Sequence, residues 1–131
     1  MRKQYHFRNI EQDLYIWDVH HLVELTKTFV IKKVALADIQ ELNEAYWFLD
    51  QYSTTQQIIE HIQLVQDADL SYPITLCAEG RVMVGMHRVT KASLLKQTDI
   101  LAVRFEQTPL PDFINIDEDD LNYDEMTYNP K

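Results

Sequence analysis

The stretch Tyr72–Phe105, YPITLCAEGRVMVGMHRVTKASLLKQTDILAVRF, decides the fold. Its opening, "YPITLCA" (72–78), is a β-branched apolar run and reads as a strand, with Pro73 at its first position, where a missing N–H does least harm to a ladder. Glu79-Gly80 turns the chain into a second strand, "RVMV" (81–84), and closes a tight hairpin. Gly85 follows, and a helix is predicted over 86–97, where helix formers carry basic residues in their last part. A further strand is predicted at "ILAVRFE" (100–106). Strand, hairpin, helix and strand in such close succession predict an α/β (α+β) domain, a small mixed β-sheet flanked by helices.

Working outward, "TQQIIEHIQLVQDADL" (55–70) has Ile58, Ile59, Ile62 and Leu64/Val65 at helical spacing, capped by Ser53 or Thr54. "DVHHLVELTKT" (18–28) predicts a short helix with Asp18 as N-cap, and "FVIKKVAL" (29–36) a strand. "ADIQELNEA" (37–45) places Glu41 three residues after Asp38, a capping box that predicts a brief helix. "YWFLDQY" (46–52) reads as an aromatic loop. Residues 1–12 read as a poorly anchored arm, 1–113 as one domain including it, and 114–131 as an acidic, flexible or wrapping tail.

The chain has 131 residues, 46% hydrophobic, which is ample for one packed core and excludes general disorder. Its formal charge is −9, unevenly spread: residues 106–131 hold eight acidic groups against Lys131 alone, leaving a body of 13 acidic and 11 basic residues. No cluster of Lys and Arg exists to neutralise a phosphate backbone, so duplex DNA is not expected as a partner. A single cysteine, no secretory segment and no apolar run of membrane-spanning length lead to the expectation of a reducing, cytoplasmic setting without a membrane partner.

The chemistry concentrates where the second strand meets the helix. A helix start presents unpaired N–H groups and the positive end of the dipole, and a glycine there lets an anion approach the backbone. Arg88 adds a planar charged fork, His87 a group able to move a proton near neutral pH, and Lys91 a further positive charge one turn on. Gly85, Met86, His87, Arg88 and Lys91 therefore make physical sense as an anion or phosphate site. The alternative is a glycine that merely permits a tight bend, with His87 and Arg88 solvated or paired with the acidic tail.

The same stretch resembles the ParB/sulfiredoxin-like superfamily, and most of all small stand-alone bacterial ParB-like proteins. The resemblance is carried by Pro73, Ile74, Leu76, Gly80, Arg81, Met83, Gly85, Met86, His87, Arg88, Lys91, Ala92, "AVRF" (102–105), Pro109, Pro111 and Asp112. It extends over roughly residues 13–113. It implies a small α/β domain whose Gly-x-His-Arg turn holds nucleotide phosphates, with magnesium as a possible companion. Gly85, His87 and Arg88 would then be phosphate contacts, Thr54 and Thr55 additional candidates, and His87 the acid/base if phosphoryl transfer or nucleotide hydrolysis occurs. The family's usual aspartate before the glycine is Val84 here, which weighs against catalysis. The sulfiredoxin cysteine position is Met86, and a thioether cannot act as a thiolate, so sulfinic-acid repair is excluded.

Other features carry ordinary readings beside functional ones. His20 and Glu24 share a helical face at i, i+4, but metal binding would need a third ligand such as His61. Tyr46, Trp47 and Phe48 could stack on a base or plug the core. Asp67 and Asp69 could stand in for the missing acid or simply end a helix. No metal set is assigned. The expected function is binding of a nucleotide or other phosphorylated small ligand at the Gly85–Arg88 turn. The alternative is a non-catalytic protein-interaction or regulatory module, with a protein partner reached through the acidic tail.

Overall fold

A computed structural model describes residues 4–47 and 53–121. They form seven strands and three α-helices: β1 (Tyr5–Ile10), β2 (Asp13–Asp18), α1 (Val19–Leu25), β3 (Lys32–Ala35), α2 (Thr55–Asp67), β4 (Ile74–Leu76), β5 (Val82–Val84), α3 (Met86–Leu94), β6 (Asp99–Arg104) and β7 (Phe113–Ile114). The strands make two sheets, a mixed one of order β3-β6-β4-β5 and an antiparallel one of order β1-β2-β7. The expected α+β architecture with a mixed sheet is present.

The mixed sheet is built from the stretch 72–106. β4 and β5 form the expected hairpin around Gly80, while β4 runs parallel to β6, with Ile74 opposite Ala102. Parallel neighbours need a crossover, and α3 supplies it. Alternation along the strands then separates two cores. Ile74, Leu76, Val82, Ile100 and Ala102 pack with Met86, Val89 and Ala92 of α3 and with Leu36 and Ile39. On the opposite face, Cys77, Met83 and Phe105 meet Trp17 of β2 and Leu22 of α1. Full burial of Val89 alone contributes roughly 1.5–3 kcal/mol, and it holds α3 flat on the sheet.

Caps behave as the sequence suggests at two helices. The Asp18 carboxylate accepts from the His20 and His21 N–H groups. At α2, Thr54 and Gln57 complete a capping box, the Thr54 hydroxyl accepting from Gln57 N at 3.1 Å and Gln57 Oε1 from Thr54 N at 2.9 Å.

Three expectations are overturned. The presumed N-terminal arm contains β1, whose residues Phe7 and Ile16 stand opposite each other across a regular hairpin with β2. The turn uses Glu11 at φ 59° rather than glycine or asparagine, so it carries no composition signal. Residues 37–45 form no α-helix but short 3-10 turns, Leu36–Asp38 and Gln40–Asn43, without a side-chain cap. Glu41 is instead drawn inward, 3% exposed, where its Oε2 accepts from Val82 N at 2.8 Å and faces Arg81 Nε at 3.2 Å. Finally, the segment after β6 is fastened to β2 at least as far as Asn115. Trp17 Nε1 donates to the Pro109 carbonyl at 3.0 Å, Asp18 N to Asp112 at 2.7 Å, and Leu14 N to the Asn115 side chain at 2.8 Å. Residues 114–121 are thus structured, and Leu121 is buried; 122–131, and 48–52 of the aromatic loop, lie outside the described residues. Among the described residues no helix is long and apolar enough to cross a membrane.

Candidate functional site

Gly85 is the N-cap of α3 at φ 103°, a region that L side chains rarely adopt. A Cβ there would stand 2.8 Å from Ile74 Cγ2 and 3.2 Å from both Nε and Nη2 of Arg88. The corner is therefore not an open cradle. It is glycine because the backbone turns left-handed and because the Ile74 methyl and the Arg88 guanidinium close over it.

Arg88 is the residue of the turn that meets a cavity. Its Nη1 donates to the Pro73 carbonyl at 3.0 Å, fastening α3 to the start of β4. Among the described residues it makes no ion pair. Burial lowers its pKa from the ordinary arginine value, and the more distant Asp69 acts in the opposite sense. A partly buried guanidinium without a carboxylate against it is costly unless an anion arrives. The cavity beside it holds about 410 Å³. Its floor is the mixed sheet at Thr75, Val84 and Val103, and its roof is α1 at Val19, His20 and Val23. Phe29 and Ile31 of the connection to β3 close one side, and Tyr72 and Pro73 another.

His87 faces elsewhere. Its ring stacks on Trp47 at 4.9 Å between centroids, 19° from parallel, and lies 5.1 Å from His61 of α2. Trp47 also meets His61 edge-on at 4.1 Å. Burial first, then the neighbouring His61 and Arg88, lowers the His87 pKa and favours its neutral ring. Such an imidazole can pass a proton, but it does not line the cavity that Arg88 faces.

The rest of the expected set is placed as follows. Met86 is buried in the core under α3. Lys91 Nζ donates to the Gln66 and Ala68 carbonyls, both at 2.7 Å, and so satisfies the C-terminal end of α2. Thr54 caps α2, and Thr55 is its exposed first residue. The structure thus gathers Val84 and Arg88 on one cavity wall and disperses the others.

The remaining candidates are held structurally. His21 Nδ1 lies 2.7 Å from Asp112, and Glu24 lies 3.3 Å from Lys27, so the His20–Glu24 face does not converge on a metal. Asp69 accepts from the Ser71 N–H and hydroxyl, and Asp67 from Gln63. No group of three or more His, Cys, Asp or Glu able to hold a metal exists among the described residues. Sequence reasoning missed the apolar walls of the cavity. Val19, Phe29 and Val103 are ordinary core-type residues, and only folding gathers them. Neither a family model, nor a curated protein, nor a solved structure matches the chain.

Proposed function

We propose that this chain binds a small organic anion, with the charged group at Arg88 and the body of the ligand in the cavity between α1 and the mixed sheet. One observation carries the reading: a partly buried guanidinium, unpaired by any carboxylate among the described residues, in the wall of a 410 Å³ cavity. Cavities of this size and make-up, mostly apolar with a few polar groups that fix orientation, suit small molecules. A nucleotide or another phosphorylated compound is one such anion, and Arg88 is the residue that would meet its phosphate. Binding is supported better than catalysis, because His87 sits in the Trp47–His61 cluster and the residue before Gly85 is the apolar Val84.

Titration calorimetry of the full chain with CTP, ATP and ADP, each with and without magnesium, and with organic carboxylates tests the reading. At least one of these binds, and Arg88→Gln weakens it tenfold or more. Binding of none, or equal binding by the variant, refutes it.

A second reading, a protein-interaction module, rests on α2. Ile58, Ile59, Ile62 and Leu64 are 44–54% exposed on a helix that buries only Val65 among its described side chains. Concentration-dependent self-association in sedimentation, abolished by Ile59→Glu, would favour it; a monomer at all concentrations would count against it.

A further inference from the structure

The nature of the walls narrows the ligand, on the basis of the binding reading above. We infer that the site takes a monoanion with an apolar body, a carboxylate carried on an aromatic or branched aliphatic group, in preference to a nucleotide or other polyphosphate.

The charge inventory comes first. Two cationic side chains line the cavity, Arg88 and Lys27. Lys27 is exposed, its Nζ lies 3.3 Å from the Glu24 carboxylate, and in water its charge acts on the cavity only weakly. Lys91, which the sequence offers as a second phosphate donor, has two of its three N–H donors committed to the end of α2 and does not line the cavity. Arg88 alone is left, with Asp69 close enough to offset part of its field. One partly offset cation balances one negative charge. A nucleoside triphosphate brings about four, into a chain whose own net charge is −9, and phosphate sites of that kind gather several donors around the phosphates.

The geometry of the fork points the same way. Nη1 is committed to the Pro73 carbonyl, which leaves Nε and Nη2. These two nitrogens share one edge of the guanidinium, the edge that pairs with the two oxygens of a carboxylate. A Cβ on residue 85 would lie 3.2 Å from each of them. Glycine keeps that edge uncrowded.

The remaining surface is mostly apolar. Val19 and Val23 above, Val84 and Val103 below, and Phe29 at the side outweigh the polar Gln4, His20, Thr26, Tyr72 and Thr75, and offer no partner to the hydroxyls of a ribose laid against them. Buried without hydrogen bonds, such hydroxyls lose affinity, whereas a phenyl or isobutyl group gains it by leaving water.

The test uses the full chain and perturbs the ligand before the protein. 3-Phenylpropionate and 4-methylpentanoate are titrated beside 3-phenylpropionamide, which keeps the shape and loses the charge, and beside CTP and ADP with magnesium. The carboxylates bind, the amide binds at least tenfold more weakly, and the nucleotides bind more weakly than either acid. Arg88→Gln, its fold checked by circular dichroism, loses the preference for acid over amide. Equal binding of acid and amide overturns the inference. Binding of nucleotides without the acids overturns it while leaving the broader anion-binding reading standing. Binding of no compound overturns both.

Discussion

Gly85→Ala is the substitution for which the structure yields the most definite magnitude. Two costs are separable. At φ 103° an alanine pays for a left-handed backbone, about 1–3 kcal/mol. Its Cβ would also stand 2.8 Å from Ile74 Cγ2, and Ile74 is fully buried and cannot swing away, so relief requires the core to shift, at about 1–3 kcal/mol. A central total of about 4 kcal/mol is a large share of the ~5–15 kcal/mol that stabilises an ordinary domain. At about 3–5 °C per kcal/mol for a chain of this length, Tm falls by ~12–20 °C. Gly80→Ala is the internal control. Gly80 is also left-handed, at φ 84°, but its Cβ would meet nothing closer than Arg104 at 3.7 Å, so only the backbone cost of about 1–3 kcal/mol applies. Urea unfolding monitored by circular dichroism and by tryptophan fluorescence reads both. If Gly85→Ala costs no more than Gly80→Ala, the packing account of the corner is wrong.

Three further outcomes follow from named contacts. Arg81 bridges the hairpin to the 3-10 segment, donating to Gln40 and to both oxygens of Glu44 while facing buried Glu41. Arg81→Met strands the Glu41 carboxylate and costs ~2–4 kcal/mol in urea unfolding, and the added change Glu41→Gln recovers part of it; a loss under ~0.5 kcal/mol would make the clasp incidental. His6, beside Arg8 and 5.7 Å from the Trp17 ring, has its pKa lowered to about 4 by burial and then by the Arg8 charge. Above pH 6.5 both states are neutral there; as pH falls from 6.5 towards 4 the unfolded chain takes the proton first, so stability is lost over that window, by about 2 kcal/mol after allowance for solvent screening. His6→Phe flattens that part of the pH–stability curve, and an unchanged slope refutes the assignment. Lys91→Met leaves the end of α2 without its donor and costs ~1–2 kcal/mol, with small-anion affinity unchanged within about twofold; lost binding at unchanged stability would return Lys91 to the site.

Much of the fold is legible along the chain where the signal is local. The strand at Ile74–Leu76, the Gly80 hairpin, α3 and β6 are each announced by β-branched runs, a turn residue or helix formers within their own segments. The α2 capping box is equally local, since Thr54 and Gln57 lie three residues apart. β1 is not legible, because its turn at Glu11 carries no glycine and its strand is held by β2, whose other edge waits for β7 some hundred residues later in register with Tyr15 and Ile16. Glu41 illustrates the opposite failure. It satisfies the local rule for a capping box, yet a buried N–H at Val82 and the Arg81 guanidinium outbid the Asp38 backbone for its carboxylate.

For the site, the sequence alone gives a glycine between a strand and a helix and an arginine on the first turn of that helix; that the glycine is left-handed, at φ 103°, comes from the structure. Strand, turn and helix in this stretch are announced by residues within their own segments. Which way those side chains face is not short-range. Successive helical residues differ by about 100° in direction, and the packing partners that choose among directions come from Trp47, Pro73, Gln66 and Ala68. The tertiary structure therefore sends His87 to the aromatic cluster and Lys91 to the end of α2, and leaves Arg88 unpaired at a cavity whose apolar walls come from α1, the loop after it and three strands.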